Sequence, residues 1–297
     1  MIHQFKNNGY NIVMDVNSGS VHVVDDLVYD VVGPAEQPIS RGVRDLDAVV
    51  AEVEDKLTAP WSHEQVREAV SEVLELAEEG SLYTEDIYES YIDQFKNRQT
   101  VVKALCLHIA HDCNLACQYC FAEEGEYHGR RALMSFEVGK KALDFLVKNS
   151  GNRINLEVDF FGGEPLMNWQ VVKDLVAYGR SLEEPFHKKF RFTLTTNGVL
   201  LNDEVLEFVN REMSNVVLSI DGRKEVHDKM RPFRGGQGSY DLIVPKFRKV
   251  AESRGQMNYY VRGTYTRNNL DFSKDVEHLA DLGFEQISVE PVVADPK

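Results

Sequence analysis

The sequence predicts an α/β fold, a partial (β/α)6 barrel on a parallel sheet, preceded by a small winged-helix-like module. Three observations lead there. From Val101 onward, six strand-like runs alternate with helix-like ones, the pattern of a parallel sheet built from βα units. Before that point the chain offers a hairpin signal and then three helical patterns, all within residues 1–83. The length of 297 residues, 43% of them hydrophobic, fits one large or two ordinary domains with a real core.

In the first part, Asn11–Asp15 and Val21–Asp25 flank Asn17-Ser18-Gly19, which reads as a hairpin turn. Asp26–Val32 reads as a short helix ending at Gly33-Pro34, and Leu46–Leu57 is helical by spacing. Ser62, with Gln65 three residues on, makes a capping box for a third helix running to Gly80. Residues 84–100, with Glu85–Arg98 at their centre, read as a tether between the two parts. In the second part the strand candidates are Ala104–Ile109, Asn155–Phe161, Lys189–Thr195, Asn215–Ile220, Tyr259–Tyr265 and Gln286–Glu290. Five helices fall between them: Ser135–Lys148, Trp169–Leu182, Asp203–Glu212, Tyr240–Arg254 and Phe272–Leu282. The chain stops just past the sixth strand, so it is expected to be a piece of a longer protein.

Of the 48 acidic and 33 basic residues, 20 acidic and 7 basic ones lie in residues 1–100. Such an acidic first third argues against nucleic-acid phosphates and favours a basic peptide as partner. No apolar run reaches the roughly 18 residues of a membrane helix, and Met1–Tyr10 lacks the apolar stretch of a signal peptide. A cytoplasmic protein without membrane contact is expected.

All four cysteines, Cys106, Cys113, Cys117 and Cys120, lie within fifteen positions. A disulfide framework would spread them along the chain, so the clustering points to metal or redox chemistry. Cys113, Cys117 and Cys120 form a C-x3-C-x2-C loop just after the first strand, at the mouth of the expected barrel, where chemistry is built. Three thiolates can wrap one iron–sulfur cubane and leave its fourth iron open to a ligand. A ferredoxin-type cluster wants four cysteines. Zinc wants a fourth Cys or His, and with His108 and His111 nearby the ligand count leaves zinc open. Cys106, between Leu105 and Leu107, reads as a small buried hydrophobe.

Cysteine spacing of this kind, with Tyr119 before the third cysteine and Phe121 after it, resembles the signature of radical S-adenosylmethionine (SAM) enzymes. The resemblance implies that Cys113, Cys117 and Cys120 hold a 4Fe-4S cluster. Its fourth iron would be chelated by S-adenosylmethionine, which one electron cleaves to a 5′-deoxyadenosyl radical. Further motifs agree with this. Gly162-Gly163-Glu164-Pro165, ending the second strand, resembles the family's GGEP segment, where glycines allow close backbone approach and Glu164 can accept from the methionyl ammonium. Thr196 and Asn197 close the third strand, and Ser219 and Asp221 close the fourth. By resemblance these four and Tyr119 are cofactor contacts. Arg262, mid-strand, is costly inside a barrel unless paired, and the cofactor's carboxylate is one partner. His227, Asp228 and Arg231 read as a helix start or substrate wall, and Tyr127, Phe160 and Phe161 as packing.

Within the family, Phe121–Gly129, Leu133-Met134-Ser135 and Glu157–Asn168 resemble maturases of SCIFF peptides, short cysteine-rich precursors. That implies a thioether-forming enzyme. A hydrogen leaves an acceptor carbon, a cysteine thiolate bonds to that carbon, and the surplus electron passes to a cluster. The first module would then be the winged-helix recognition element of such maturases, adding a leader strand to the edge Val21, His22, Val23 and Val24. A cysteine-rich precursor peptide and a low-potential electron donor are the implied partners. Family members carry a C-terminal SPASM or twitch extension with auxiliary clusters, and no cysteine follows Cys120 here. Cofactor cleavage without efficient cross-linking is therefore expected of this chain. Two alternatives are formylglycine formation of the anaerobic sulfatase-maturase kind and a non-enzymatic peptide-binding module with zinc.

Overall fold

The computed structural model describes residues 1–96, 100–123, 125–127 and 129–293. Of the segments named above, Glu124, His128 and the end of the tether lie outside the described residues. The chain divides into two compact units, Met1–Gln99 and Thr100–Lys297.

The first unit holds three antiparallel strands in the order β1 (Ile2–Asn7), β2 (Tyr10–Asp15) and β3 (Val21–Val24). Sequence reading missed β1, although the signal was present: Asn8-Gly9 takes positive φ at both positions, 49° and 82°, the conformation of a two-residue hairpin turn. Helices α1 (Asp26–Ser40), α2 (Leu46–Glu54) and α3 (His63–Glu78) follow. Contrary to expectation, α1 does not end at Gly33-Pro34 but runs through Pro34 and Pro38. A proline inside a helix loses a hydrogen bond. Here Val28, Val31, Val32, Ala35 and Ile39 bury a whole face against α2 and α3, and that packing outweighs the loss. The Ser62–Gln65 capping box forms as read, and Gly80 follows α3 with φ 73°. A 3-10 turn (Glu89–Tyr91) and the short α4 (Ile92–Lys96) occupy the expected tether.

The second unit is one seven-stranded sheet. Its six parallel strands lie in chain order: β4 (Ala104–His111), β6 (Asn155–Gly162), β7 (Lys189–Thr196), β8 (Met213–Ser219), β9 (Tyr259–Tyr265) and β10 (Ile287–Pro291). The two-residue β5 (Ala132–Leu133) pairs antiparallel with the end of β4. Between the strands run α5 (Phe136–Asn149), α6 (Trp169–Phe186), α7 (Asp203–Glu212), α8 (Lys224–Met230), α9 (Tyr240–Ser253) and α10 (Ser273–Asp281). The sequence offers α8 only as a helix start or substrate wall at His227, Asp228 and Arg231, and β5 not at all.

Strand alternation sorts the two sheet faces. Leu107, Ile109, Leu156, Val158, Phe160, Phe192 and Leu194 bury one face against Leu143, Val172, Leu175 and Val176 of α5 and α6. The opposite face carries the intervening polar residues, among them Asp159, Thr193 and Arg262. Cys106 belongs to this second face: it is exposed and lies in register with Asp159. Its expected role as a buried hydrophobe is thus wrong, because flanking leucines on a strand point away from the residue between them. Among the described residues, no helix is long and apolar enough to cross a membrane.

Candidate active site

The C-terminal ends of the parallel strands surround a cavity of about 320 Å³. Cys113, Cys117 and Cys120 line it together with Tyr119, Gly162, Gly163, Thr196, Asn197, Ser219 and Arg262. Ten of the residues expected at the site therefore share one wall system. Glu164, Pro165 and Asp221 stand behind it.

The cysteine loop is held by the segment after α8. Ala116 N–H donates to Pro232 O at 2.8 Å and Gln118 N–H to Met230 O at 2.9 Å, while Leu115 bridges antiparallel to Phe233. Arg234 donates to Cys113 O at 2.7 Å and to Asp112 Oδ1 at 3.0 Å. His227 and Asp228 lie within α8, a helix as read, Arg231 lines the cavity, and the chain from Met230 to Arg234 is the cradle of the cysteines. The signal was the H-D-x-x-R spacing itself, which has no meaning until the loop and this segment are seen paired.

The two glycines behave otherwise than expected. A side chain at Gly163 would meet Asp112 O at 2.1 Å, and one at Gly162, with φ 123°, would meet Ala110 O at 2.6 Å. Gly163 N–H donates to Ala110 O at 2.7 Å and Glu164 N–H to Asp112 O at 2.9 Å. Close approach is thus made first to the backbone leading into the cysteine loop, and this fixes the loop at the strand end.

Glu164 is fully buried, and its carboxylate accepts from Leu166 N–H at 2.9 Å, Thr196 Oγ1–H at 2.8 Å and Asn197 N–H at 2.8 Å. It ties β6 to the end of β7, with Oε1 accepting two of these bonds and Oε2 one. Burial pushes its carboxyl above the usual range, against the pull of those hydrogen bonds. Asn197, placed by Glu164, donates from Nδ2 to Asn114 Oδ1 at 2.8 Å and points the same group at Cys113 Sγ, 3.6 Å away.

Asp221 likewise supports the wall from behind. Both its oxygens accept from Tyr119 O–H at 2.9 Å, and Oδ1 accepts from Thr264 N–H at 3.1 Å. Arg231 Nη1 donates to the same tyrosine oxygen at 2.7 Å and lies 4.0 Å from Asp221. His227, buried in this network, accepts from Asp221 N–H at 3.3 Å through Nδ1 and meets Ser239 Oγ at 2.9 Å through Nε2. Burial and the neighbouring Arg231 push His227 down to about 3, so it is neutral. Arg262 lines the cavity, but its guanidinium already pairs with Glu290 of the neighbouring β10. Phe160 is core, as read. Phe161 faces the other way and lines the cavity, and the Tyr127 ring lies tilted against those of His108 and His111, with centroids 4.5 and 4.8 Å away.

The cysteines suit an iron–sulfur cluster. Burial, with Glu164 nearby, pushes the Cys113 thiol up to about 12, and burial raises Cys117 as well. Such thiols stay protonated unless a metal replaces the proton. N–H groups already face Cys113 Sγ from Leu115 at 3.5 Å and from Asn197, the contacts a coordinated thiolate accepts. Among the described residues, no three His, Cys, Asp or Glu side chains are drawn together around the position of a single metal ion.

Sequence comparison agrees with this geometry. Residues 107–271 match the radical SAM superfamily, and the chain belongs to that family. Membership implies a 4Fe-4S cluster and S-adenosylmethionine and supports an enzyme. The chain is 26% identical over 193 residues to the radical SAM cyclopropyl synthase TigE of Paramaledivibacter caminithermalis, covering 60% of this chain and 39% of that protein. It is 27% identical over 161 residues to a cysteine-type anaerobic sulfatase-maturating enzyme of Clostridium novyi, covering 53% and 42%. The chain thus spans less than half the length of these two relatives. The solved structure of native anSMEcpe with bound AdoMet and Cp18Cys peptide superposes with a TM-score of 0.57 over 65% of this chain and 51% of that one. At 20% identity this likeness shows the fold alone.

Proposed function

We propose that the protein is a radical SAM maturase that joins a cysteine sulfur to a carbon within a ribosomally made, cysteine-rich peptide. The observation that carries this reading is the cavity at the strand ends, walled by three cysteines and a polar rim. Bound there, the cluster and S-adenosylmethionine supply a carbon-centred oxidant that takes a hydrogen atom from the substrate. The chain's own residues do the rest. Cys113, Cys117 and Cys120 ligate the cluster. Gly162, Gly163, Thr196, Asn197, Ser219 and Tyr119 bound the cofactor, and Arg262, shared with Glu290, offers a cation to its carboxylate. Glu164, Pro165 and Asp221 position those contacts without touching the ligand.

The first unit supports a peptide substrate. β3 is an edge strand, and Val21 and Val23 are 60% and 67% exposed on it, while His22 is tied to Ser81 O at 3.0 Å and Val24 packs inward. An extended leader peptide pairing with that edge follows from its open backbone groups. The acidic balance of residues 1–100 selects for basic leaders, and a low-potential cytoplasmic reductant is the electron source. A second reading, formylglycine formation, draws on the sulfatase-maturating relative.

The deciding experiment incubates the protein in its full-length form anaerobically with reductant, S-adenosylmethionine and either a cysteine-rich precursor or a sulfatase-derived peptide, followed by mass spectrometry. Loss of two hydrogens per cross-link, with the peptide thiol no longer alkylated, is the expected result. Turnover of the sulfatase peptide alone would replace the thioether reading with the second one.

A further inference from the structure

Arg231 occupies an unusual position. Its side chain is 11% exposed, yet its Nε–H, fully shielded from solvent, has no hydrogen-bond partner. A buried, charged donor left unpaired costs about 1–3 kcal/mol or more, and folded proteins rarely retain one without a use. The other end of the group is fixed: Nη1 donates to Tyr119 O–H at 2.7 Å, and Asp221 lies 4.0 Å away. The backbone register sets which residue lies across from Arg231. Ala116 is bonded to Pro232 and Gln118 to Met230, so the antiparallel pairing sets Cys117 directly opposite Arg231. Both residues line the same cavity.

We infer that Arg231 is a charge-setting residue for the cluster, its Nε–H reserved for a sulfur at Cys117 or on the adjoining cluster face. The inference rests on the cluster assignment made above and goes beyond it. Reduction adds one negative charge beside the guanidinium, so the cation stabilises the reduced state and raises the potential. Hydrogen bonds to sulfur and net charge are two of the levers that set iron–sulfur potentials. Asp221 and Tyr119 act as the tether. They hold the guanidinium in place and partly offset its charge, and His227 behind them is neutral. A merely structural Arg231 would tie Tyr119 to Asp221 but leave the cluster's electronic properties unchanged.

Two readouts test this on anaerobically reconstituted protein, neither of them turnover. The first is pulsed EPR on the reduced wild-type cluster after uniform 15N-arginine labelling, compared with unlabelled protein. A weak 15N coupling is expected, and it is lost in Arg231→Lys. The second is an EPR-monitored redox titration of Arg231→Gln and Arg231→Lys. Arg231→Gln should lower the potential, with a tenfold fall in the reduced-to-oxidised ratio at fixed potential corresponding to about 59 mV. Arg231→Lys should return most of the shift. Absence of arginine coupling in the wild type overturns the inference, even if Arg231→Gln fails to fold. So does an iron-loaded Arg231→Gln with an unchanged potential. Wild-type protein that binds no cluster would instead overturn the underlying site assignment, a separate failure that iron analysis detects first.

Discussion

Asp15 in the first unit and Asp221 in the second are both buried carboxylates, 0% and 3% exposed, and both are ringed by donors. Asp15 accepts from the backbone of Asn17, Ser18 and Thr84 and from the Thr84 hydroxyl, all within its own unit. Despite burial, those bonds hold its carboxyl at about 2. Every oxygen is answered and the knot is closed. Around Asp221, burial raises the carboxyl against the pull of Arg231 and Tyr119, and the network ends in an unanswered N–H on Arg231, a residue of the cavity wall. The difference separates a network that stabilises a fold from one that stabilises a fold and keeps a donor for a guest.

The largest effect should come from the cavity's cysteines. Replacing Cys113, Cys117 and Cys120 by Ala is expected to abolish iron binding while leaving the circular dichroism spectrum unchanged, as measured by iron assay on refolded, reconstituted protein. Retention of a full iron complement would place the cluster elsewhere. Next comes Glu164→Ala, which strands three buried donors and should cost about 3 kcal/mol or more in urea unfolding. A loss below about 1 kcal/mol would show that Glu164 does not organise the end of β7.

Asp15→Asn should cost less, about 2 kcal/mol at neutral pH. Its folded-state value is depressed, so the stabilisation is complete above the unfolded value near 4 and disappears as pH falls towards 2. The gap between wild type and Asp15→Asn should therefore close across that window, and a pH-independent gap would contradict the knot. The smallest stability change is expected for Val21→Glu with Val23→Glu, within about 0.5 kcal/mol because both side chains are exposed. This pair should nevertheless abolish binding of a labelled leader peptide. Unchanged leader affinity would remove β3 from the recognition surface.

Much of the second unit was legible because its strands and helices have distinct periods and its motifs fall at strand ends. All six parallel strands follow from alternation, their order comes from the structure, and Thr196, Asn197 and Ser219 line the strand-end cavity. Local signals failed where tertiary context overrides them. Helix α1 continues through Pro34 because a whole face is buried. Cys106 lies on the polar face because its leucine neighbours point the opposite way. Arg231 was undervalued for a different reason: its meaning depends on the register between residues 115–118 and 230–233, which lie more than a hundred positions apart. Glu164 reads as a cofactor contact because a carboxylate beside glycines suits an ammonium, and only three-dimensional neighbours reveal its tie to Leu166, Thr196 and Asn197.

The central claim is that three cysteines at the strand ends hold a cluster that activates S-adenosylmethionine. Anaerobic reconstitution with iron and sulfide, followed by dithionite and S-adenosylmethionine, tests it through release of 5′-deoxyadenosine. The account predicts a brown protein that releases 5′-deoxyadenosine and a Cys117→Ala variant that does not. A colourless protein with bound zinc and no release would contradict it.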